Sequence, residues 1–252
     1  MSGEDCRCAG WALISGLAAD GKLFSMDPQI DEQFVEWLVA PERLDELLAE
    51  GWRHFGPVFF RYSSMEWNGA LVRVQPLRVV IADTSPSKSQ RRVLRRNADL
   101  KLSVRPTRID DERRRLFEAH RRRFTEKAPE ALEEYLGGQP SVCPCENVEV
   151  GLYQGERLLA ASFLDVGRSA ASSVYAIFDP AEGRRSLGTC TMLWEIQHAR
   201  ERGCRYYYPG YAFHESSKLD YKKHFKGVEW YDWQGHWRPL VGDGRAGEVQ
   251  VG

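Results

Sequence analysis

Between residues 147 and 180 the chain repeats one pattern three times. Val148 to Tyr153, Leu158 to Asp165 and Ser172 to Phe178 are dominated by β-branched, aromatic and small apolar residues, with polar or glycine-containing links between them. Runs of this length and content fit strands, and Gln154-Gly155 is a link short enough for a hairpin turn. Ser186 to Arg202 then has helical spacing and stops at Gly203. Arg205 to Tyr208 reads as a strand, Ser217 to Phe225 as a helix and Val228 to Trp233 as a last strand. Upstream lie a strand-like Leu100 to Arg105, a charged helix from about Asp111 to Phe124 and a shorter one from Glu130 to Leu136. The order β-α-α-β-β-β-α-β-α-β predicts an α+β (mixed α/β) architecture, a mixed sheet with helices on both faces.

The region before residue 99 is less regular. Residues 1–28 read as a loosely ordered tail with one apolar patch, and Asp31 to Val39 as a short helix. Pro41 to Gly51 predicts a firmer helix, with Pro near its start, Leu44, Leu47 and Leu48 on one face and Gly51 as its stop. Strands are expected at Val58 to Tyr62 and at Leu71 to Ala82, the second broken by Pro76. Ser85-Pro-Ser87 opens a basic helix through Arg96, ended by Asn97. The expected organisation is an accessory, acceptor- or RNA-binding region at 1–98 with its basic helix at 87–97. A catalytic domain at 99–240 and a flexible tail at 241–252 complete it.

Composition matters mainly through charge. With 42% hydrophobic and 28% charged residues in 252, the chain is an ordinary globular protein, not a disordered or fibrous one. The net charge is -1, yet Lys88 to Arg123 holds 14 Lys or Arg against 5 Asp or Glu. A basic stretch in an otherwise acidic chain suggests a polyanionic partner. No apolar run is long enough to span a membrane, and MSGEDCRCAG lacks the features of a secretory signal, so a cytoplasmic location is expected. Six cysteines, including Cys6-Arg-Cys8 and Cys143-Pro-Cys145, show no standard metal spacing. No metal and no cofactor are therefore expected. His54 has no ligand partner nearby in sequence and reads as structural.

Three segments carry candidate chemistry. Lys88, Arg91, Arg92, Arg95 and Arg96 recur at helical spacings and share a broad face suited to phosphates. The second segment runs from Ser172 through Asp179-Pro180 into Arg184, Arg185, Ser186, Leu187, Gly188 and Thr189. It is a strand-loop-helix junction whose free N–H groups can receive an anion. The third is Tyr206-Tyr-Tyr-Pro-Gly-Tyr211 with the following Lys218, Tyr221 and Lys222. Strand alternation puts Tyr206 and Tyr208 on one face and Tyr207 on the other. Pro209-Gly210 ends that strand, leaving Tyr208 or Tyr211 to position a reacting group. No Ser–His–Asp elbow, zinc motif or Walker loop is present. Direct acyl transfer to an amine needs no protein nucleophile; Asp165, Asp179 and Glu195 are candidates to pair with that amine or accept its proton, although Glu195 reads equally as surface charge.

Taken together these stretches resemble the aminoacyl-tRNA–protein transferases, the arginyltransferases and their short bacterial leucyltransferase relatives. The likeness spans roughly residues 40–235. It rests on Leu44 to Arg61, Pro76-Leu-Arg-Val79, Pro86 to Asn97, Ser172-Ser-Val-Tyr175, Phe178-Asp-Pro180, Arg185-Ser-Leu-Gly-Thr189, Glu195-Ile196, Tyr207 to Tyr211, Lys218 and Tyr221-Lys222. The element order likewise resembles the N-acyltransferase (GNAT-like) fold. The resemblance implies transfer of leucine or arginine from charged tRNA to the N-terminal amine of proteins beginning with Asp or Glu. It implies tRNA and an acceptor N-terminus as partners, a monomer, and neither DNA nor membrane. Tyr175, Asp179, Tyr208 and Tyr211 become the catalytic candidates. Arg78 joins the basic helix, Arg184, Arg185, the 186–189 segment, Lys218, Tyr221 and Lys222 as the substrate- and RNA-binding set. The family's usual cysteines before Pro76-Leu-Arg-Val79 are absent, so its metal or iron–sulfur option looks lost. Three alternatives stay open: another acceptor amine, a CoA-dependent acyltransferase, and a nonenzymatic tRNA-binding protein.

Overall fold

The computed structural model describes residues 29–67, 69–124 and 129–240; the expected tails, with Cys6 and Cys8, lie outside these. The first described elements are strand β1 (Asp31–Val35), helix α1 (Pro41–Ala49), β2 (Arg53–Phe55) and β3 (Val58–Tyr62), and β1-β3-β2 form a small antiparallel sheet. The expected helix at 31–39 is thus a strand. A segment as short as 31–39 is marginal as a helix, whereas pairing with β3 satisfies the backbone. Helix α1 is as expected, with Pro in its first turn and Leu44, Leu47 and Leu48 buried.

The remaining elements are β4 (Ser64–Trp67), β5 (Ala70–Val80), α2 (Lys88–Arg96), β6 (Lys101–Pro106), α3 (Asp111–Arg121), α4 (Glu133–Leu136), β7 (Asn147–Gln154), β8 (Arg157–Val166), β9 (Ala170–Phe178), α5 (Leu187–Glu201), β10 (Tyr206–Phe213), β11 (Val228–Tyr231) and β12 (Trp237–Pro239). Nine strands make one mixed sheet in the order β12-β11-β5-β10-β9-β8-β7-β6, with β4 paired to β5. Helix α5 packs its buried residues on one face, α3 and α4 cover part of the other, and α1 with the small sheet covers the rest. The fold class is the expected one. Among the described residues no helix is long and apolar enough to cross a membrane.

Helix α2 opens at Ser87 with a capping box: the Ser87 hydroxyl accepts from the Gln90 N–H while the Gln90 side chain accepts from the Ser87 N–H. Two expected strand breaks do not occur. Pro76 sits inside β5, opposite Tyr211 and beside a register irregularity in β10, the setting in which a strand tolerates proline. Likewise Pro209-Gly210 bulges β10 without ending it. The helix expected at 217–225 is a single 3-10 turn at Asp220–His224.

The decisive feature is a split in the sheet. β10 pairs in parallel with β9 only at Tyr206–Tyr208 and Ala170–Ser172, then continues against β5 alone. Just past that point β9 bulges at Val174, where the pairing with β8 shifts between Ser173 and Tyr175. A wedge opens in mid-sheet. Ser173 to Ala176 are half-exposed there, although the neighbouring residues of β8 are buried.

Candidate functional site

The wedge collects side chains from four parts of the chain. From β2, Arg53 reaches across the gap: its Nη1 donates to Ser172 Oγ at 2.5 Å and its Nη2 to the Ser173 carbonyl. This stands in for strand pairing at the edge of β9 that β10 has left. From the 3-10 turn after β10, Lys222 Nζ donates to the Tyr211 carbonyl at 3.2 Å. Gly210 lets both cations in. Its φ is +95°, and a Cβ there would lie 3.3 Å from Lys222 Nζ and 3.7 Å from Arg53 Nη2. Burial lowers the pKa of both; Lys222 falls to about 8, with the Arg53 charge pressing the same way and Glu195 opposing.

Beneath the cations lies Glu195 on α5, with 0% exposure. It is not surface charge. Its carboxylate accepts from Tyr207 Oη at 2.6 Å and from Ser173 Oγ at 3.2 Å. Desolvation raises its pKa to about 7, although the hydroxyls of Tyr207, Ser162 and Ser173 and the Arg53 charge favour the ionised form. A carboxylate that titrates near neutrality and is joined through a half-exposed hydroxyl to a cleft is suited to accepting a proton.

Of the sequence candidates, Tyr175, Lys222 and Tyr211 border this region. Tyr175 stacks on Tyr135 at 3.9 Å between centroids, and burial raises both phenol pKa values. Tyr211 Oη donates to the Gly51 carbonyl at 2.7 Å, with burial pushing its pKa well up. Tyr208 lies on the opposite sheet face against Trp237. Asp179, at the far end of β9, accepts from the Ala181 N–H and pairs with Arg157. Arg78 is packed between the rings of Tyr206 and Trp237 and bonds Glu229 at 2.6 Å. Lys218 stands over Trp67, 4.9 Å from the ring centroid, and Tyr221 is exposed.

The first two candidate segments form one basic surface. Lys88, Arg91, Arg92, Arg95 and Arg96 are all exposed on α2, and Arg96 donates to the Arg184 carbonyl. Arg185 is tied to Asp99 and Glu182 and to the Arg96 carbonyl, so it docks α2 onto the loop before α5. Ser186 adopts φ +54°, Leu187 is core, Gly188 lies against Phe178, and Thr189 is half-buried.

The expectation of no metal or cofactor site is corrected. His54, Cys145 and Asp165, distant in sequence, are brought together with their ligand atoms within 4.8 Å of one another and all three buried. His54 Nδ1 faces the Gly56 carbonyl at 2.9 Å and Nε2 faces Asp165 Oδ2 at 2.8 Å; Asp165 Oδ1 accepts from Asn147 at 2.7 Å. The Gly56 carbonyl and Asn147 are outer partners of the kind that orient metal ligands, and the three side chains could hold a metal ion. Sequence spacing hides the cluster because β2, the loop before β7 and β8 each supply one member. Sequence reasoning also passes over Arg53, Ser173 and Tyr207 as site residues. Alternation along Arg53-His-Phe55 is the available signal, since it separates Arg53 from His54.

Residues 108–232 match the family model described as arginine-tRNA-protein transferase, C terminus. An aspartate/glutamate leucyltransferase of Marinobacter nauticus is 32% identical over 206 residues, covering 79% of this chain and 82% of the relative. One from Nitrosococcus oceani is 32% identical over 196 residues, covering 75% and 79%. Among solved structures, L-PGS from Bacillus licheniformis overlaps with TM-score 0.45 at 13% identity, covering 63% of this chain and 61% of that one. FemX overlaps with TM-score 0.44 at 10% identity, covering 73% and 66%.

Proposed function

The chain belongs to the aspartate/glutamate leucyltransferase family, and on that premise we propose that it moves leucine from charged tRNA to the N-terminal amine of proteins beginning with Asp or Glu. The observation that carries the chemistry is Glu195, buried beneath the wedge and linked to it by Ser173. The acceptor amine attacks the ester carbonyl of the aminoacyl-tRNA. A C–N bond forms, the bond from carbonyl carbon to ribose oxygen breaks, and the ribose oxygen leaves with a proton. Before attack the amine must shed a proton, and Ser173 Oγ passes it to Glu195. The ester already stores the acyl potential, so positioning supplies most of the remaining gain.

The exposed cations of α2, with Arg184, hold tRNA phosphates, and the β9 edge freed at the split offers backbone N–H groups to the ester oxygen. Residues 99–240 supply the transfer chemistry and the region before them supplies α2 and Arg53. The work is done in the cytoplasm, by a monomer, where charged tRNA is found.

The test is incubation with a total aminoacyl-tRNA pool and peptides beginning with Asp, Glu, Arg, Lys and Ala, read by mass spectrometry. A leucine increment on the Asp and Glu peptides is expected. No increment on any peptide, with the tRNA still charged, would sink the reading.

A further inference from the structure

Buried cations in folded proteins are almost always paired. Among the described residues, the lysines and arginines that are not openly exposed have a carboxylate within 4.0 Å, as Arg113 has Glu149, Arg78 has Glu229 and Lys223 has Asp220. Arg53 and Lys222 are the exceptions. Their polar partners are a serine hydroxyl and two backbone carbonyls. The acidic groups near Arg53 are engaged elsewhere, Asp165 with His54 and Asn147, Glu195 with Tyr207 and Ser173. Two half-buried cations thus meet at Gly210, beside the split in the sheet, with no carboxylate of the described residues between them.

We infer that Arg53 and Lys222 receive the side-chain carboxylate of the acceptor's first residue while that residue's amine is turned toward Ser173 and Glu195. This rests on the transferase reading above and names the groups that read the acceptor. An N-terminal Asp or Glu carries one anion and one cation a few bonds apart. The wedge offers the complement, two cations beside one carboxylate. An acceptor with Asn, Gln or Ala leaves the two cations unpaired, the kind of mismatch that gives strong rejection. An RNA phosphate is the competing anion, but α2 already presents five exposed cations to RNA on a separate surface, and no carboxylate like Glu195 is needed beside a phosphate.

The test compares Asp-Ala-Gly and Asn-Ala-Gly peptides in competition for leucyl transfer by the wild type and by Lys222→Met. The wild type is expected to prefer the Asp peptide strongly in kcat/KM, and Lys222→Met to lower that preference roughly 30-fold or more, mainly through KM. An unchanged preference in Lys222→Met overturns the inference while leaving the transferase reading intact. So does weakened binding of charged tRNA with an undiminished Asp preference, which would assign the cations to phosphate. Extension of no peptide by the wild type is the separate failure of the transferase reading. A second measurement needs no variant. Calorimetry of the wild type with each peptide alone is expected to show at least tenfold tighter binding of the Asp peptide, and equal affinities overturn the inference.

Discussion

Arg113 and Arg53 both turn inward from solvent, and the chain treats them in opposite ways. Arg113, with 0% exposure, is enclosed by carboxylates: Nε and Nη2 donate to Glu149 at 2.8 and 2.9 Å, and Nη1 to Asp110 and Glu112 at 3.0 and 2.9 Å. Arg53 has a hydroxyl and a carbonyl, and the second cation Lys222 approaches the same glycine. The first arrangement locks α3 to β7 and asks nothing of a ligand. The second holds charge that the fold disfavours, a cost retained where an incoming group repays it. Burial alone does not mark a site; an unmet electrostatic requirement does.

Four measurements would sharpen or break that contrast. The largest effect is expected at Glu195. Glu195→Gln keeps shape and one hydrogen-bond acceptor but not the basicity, so kcat is expected to fall about 10²- to 10⁴-fold with little change in KM for tRNA. A variant within a few-fold of wild type would remove Glu195 from the proton path.

Next comes stability, where the two cations should separate by sign. Arg113→Ala strands the buried Glu149 and is expected to cost about 3–5 kcal/mol in urea unfolding. Lys222→Met removes a cation with no carboxylate and is expected to leave stability unchanged or raised. The pH dependence gives the same sign. The folded chain depresses the Lys222 pKa from 10.5 to about 8, so between those values the unfolded chain binds more protons and this group makes stability rise with pH. That increment should vanish in Lys222→Met. A large loss of stability in Lys222→Met would make it a structural residue like Arg113.

Activity against pH is the next smaller effect. The groups facing Lys222 are Arg53 from β2, Glu195 from α5 and the Tyr211 carbonyl of β10. With an Asp peptide, kcat/KM is expected to rise through about 7 as Glu195 ionises. The side-chain carboxylate raises the amine pKa of the Asp peptide above that of the Asn peptide, so each profile is first corrected for the titration of its own peptide, and the corrected ratio isolates Lys222. That ratio is expected to fall above about 8. A flat ratio from 7 to 9 would detach the cation from the acceptor.

How much of this is legible in the sequence follows from the range of each interaction. Helix α2, with its capping box, and α1, with its leucine face, are written in neighbouring residues and need nothing from further away. The same holds for the alternation that turns Tyr207 away from Tyr206 and Tyr208. The strand at 31–35 depends on a partner three elements on, and Pro76 is tolerated because of an irregularity in β10; neither is a local property. The site divides the same way. Lys222 stands out through its motif, but its unpaired state depends on Arg53 lying 169 positions earlier in the chain. His54, Cys145 and Asp165 share no spacing rule, because three separate elements bring them together.

The smallest effect expected is on α2, and it tests the contrast from the exposed side. Arg91, Arg92 and Arg95 are open to water, where a charge costs little and stabilises little. Replacing Arg92 and Arg95 with Ala should therefore leave the melting temperature nearly unchanged. For each phosphate that a removed arginine neutralises, the slope of log affinity against log salt should become shallower by about 0.9 for a duplex segment or about 0.7 for a single strand. The Asp-over-Asn preference should not move, because the wedge and the basic face are separate surfaces reading separate parts of the reaction. A double variant that alters acceptor preference but not the salt slope would place the acceptor on α2 and leave the wedge cations without their anion.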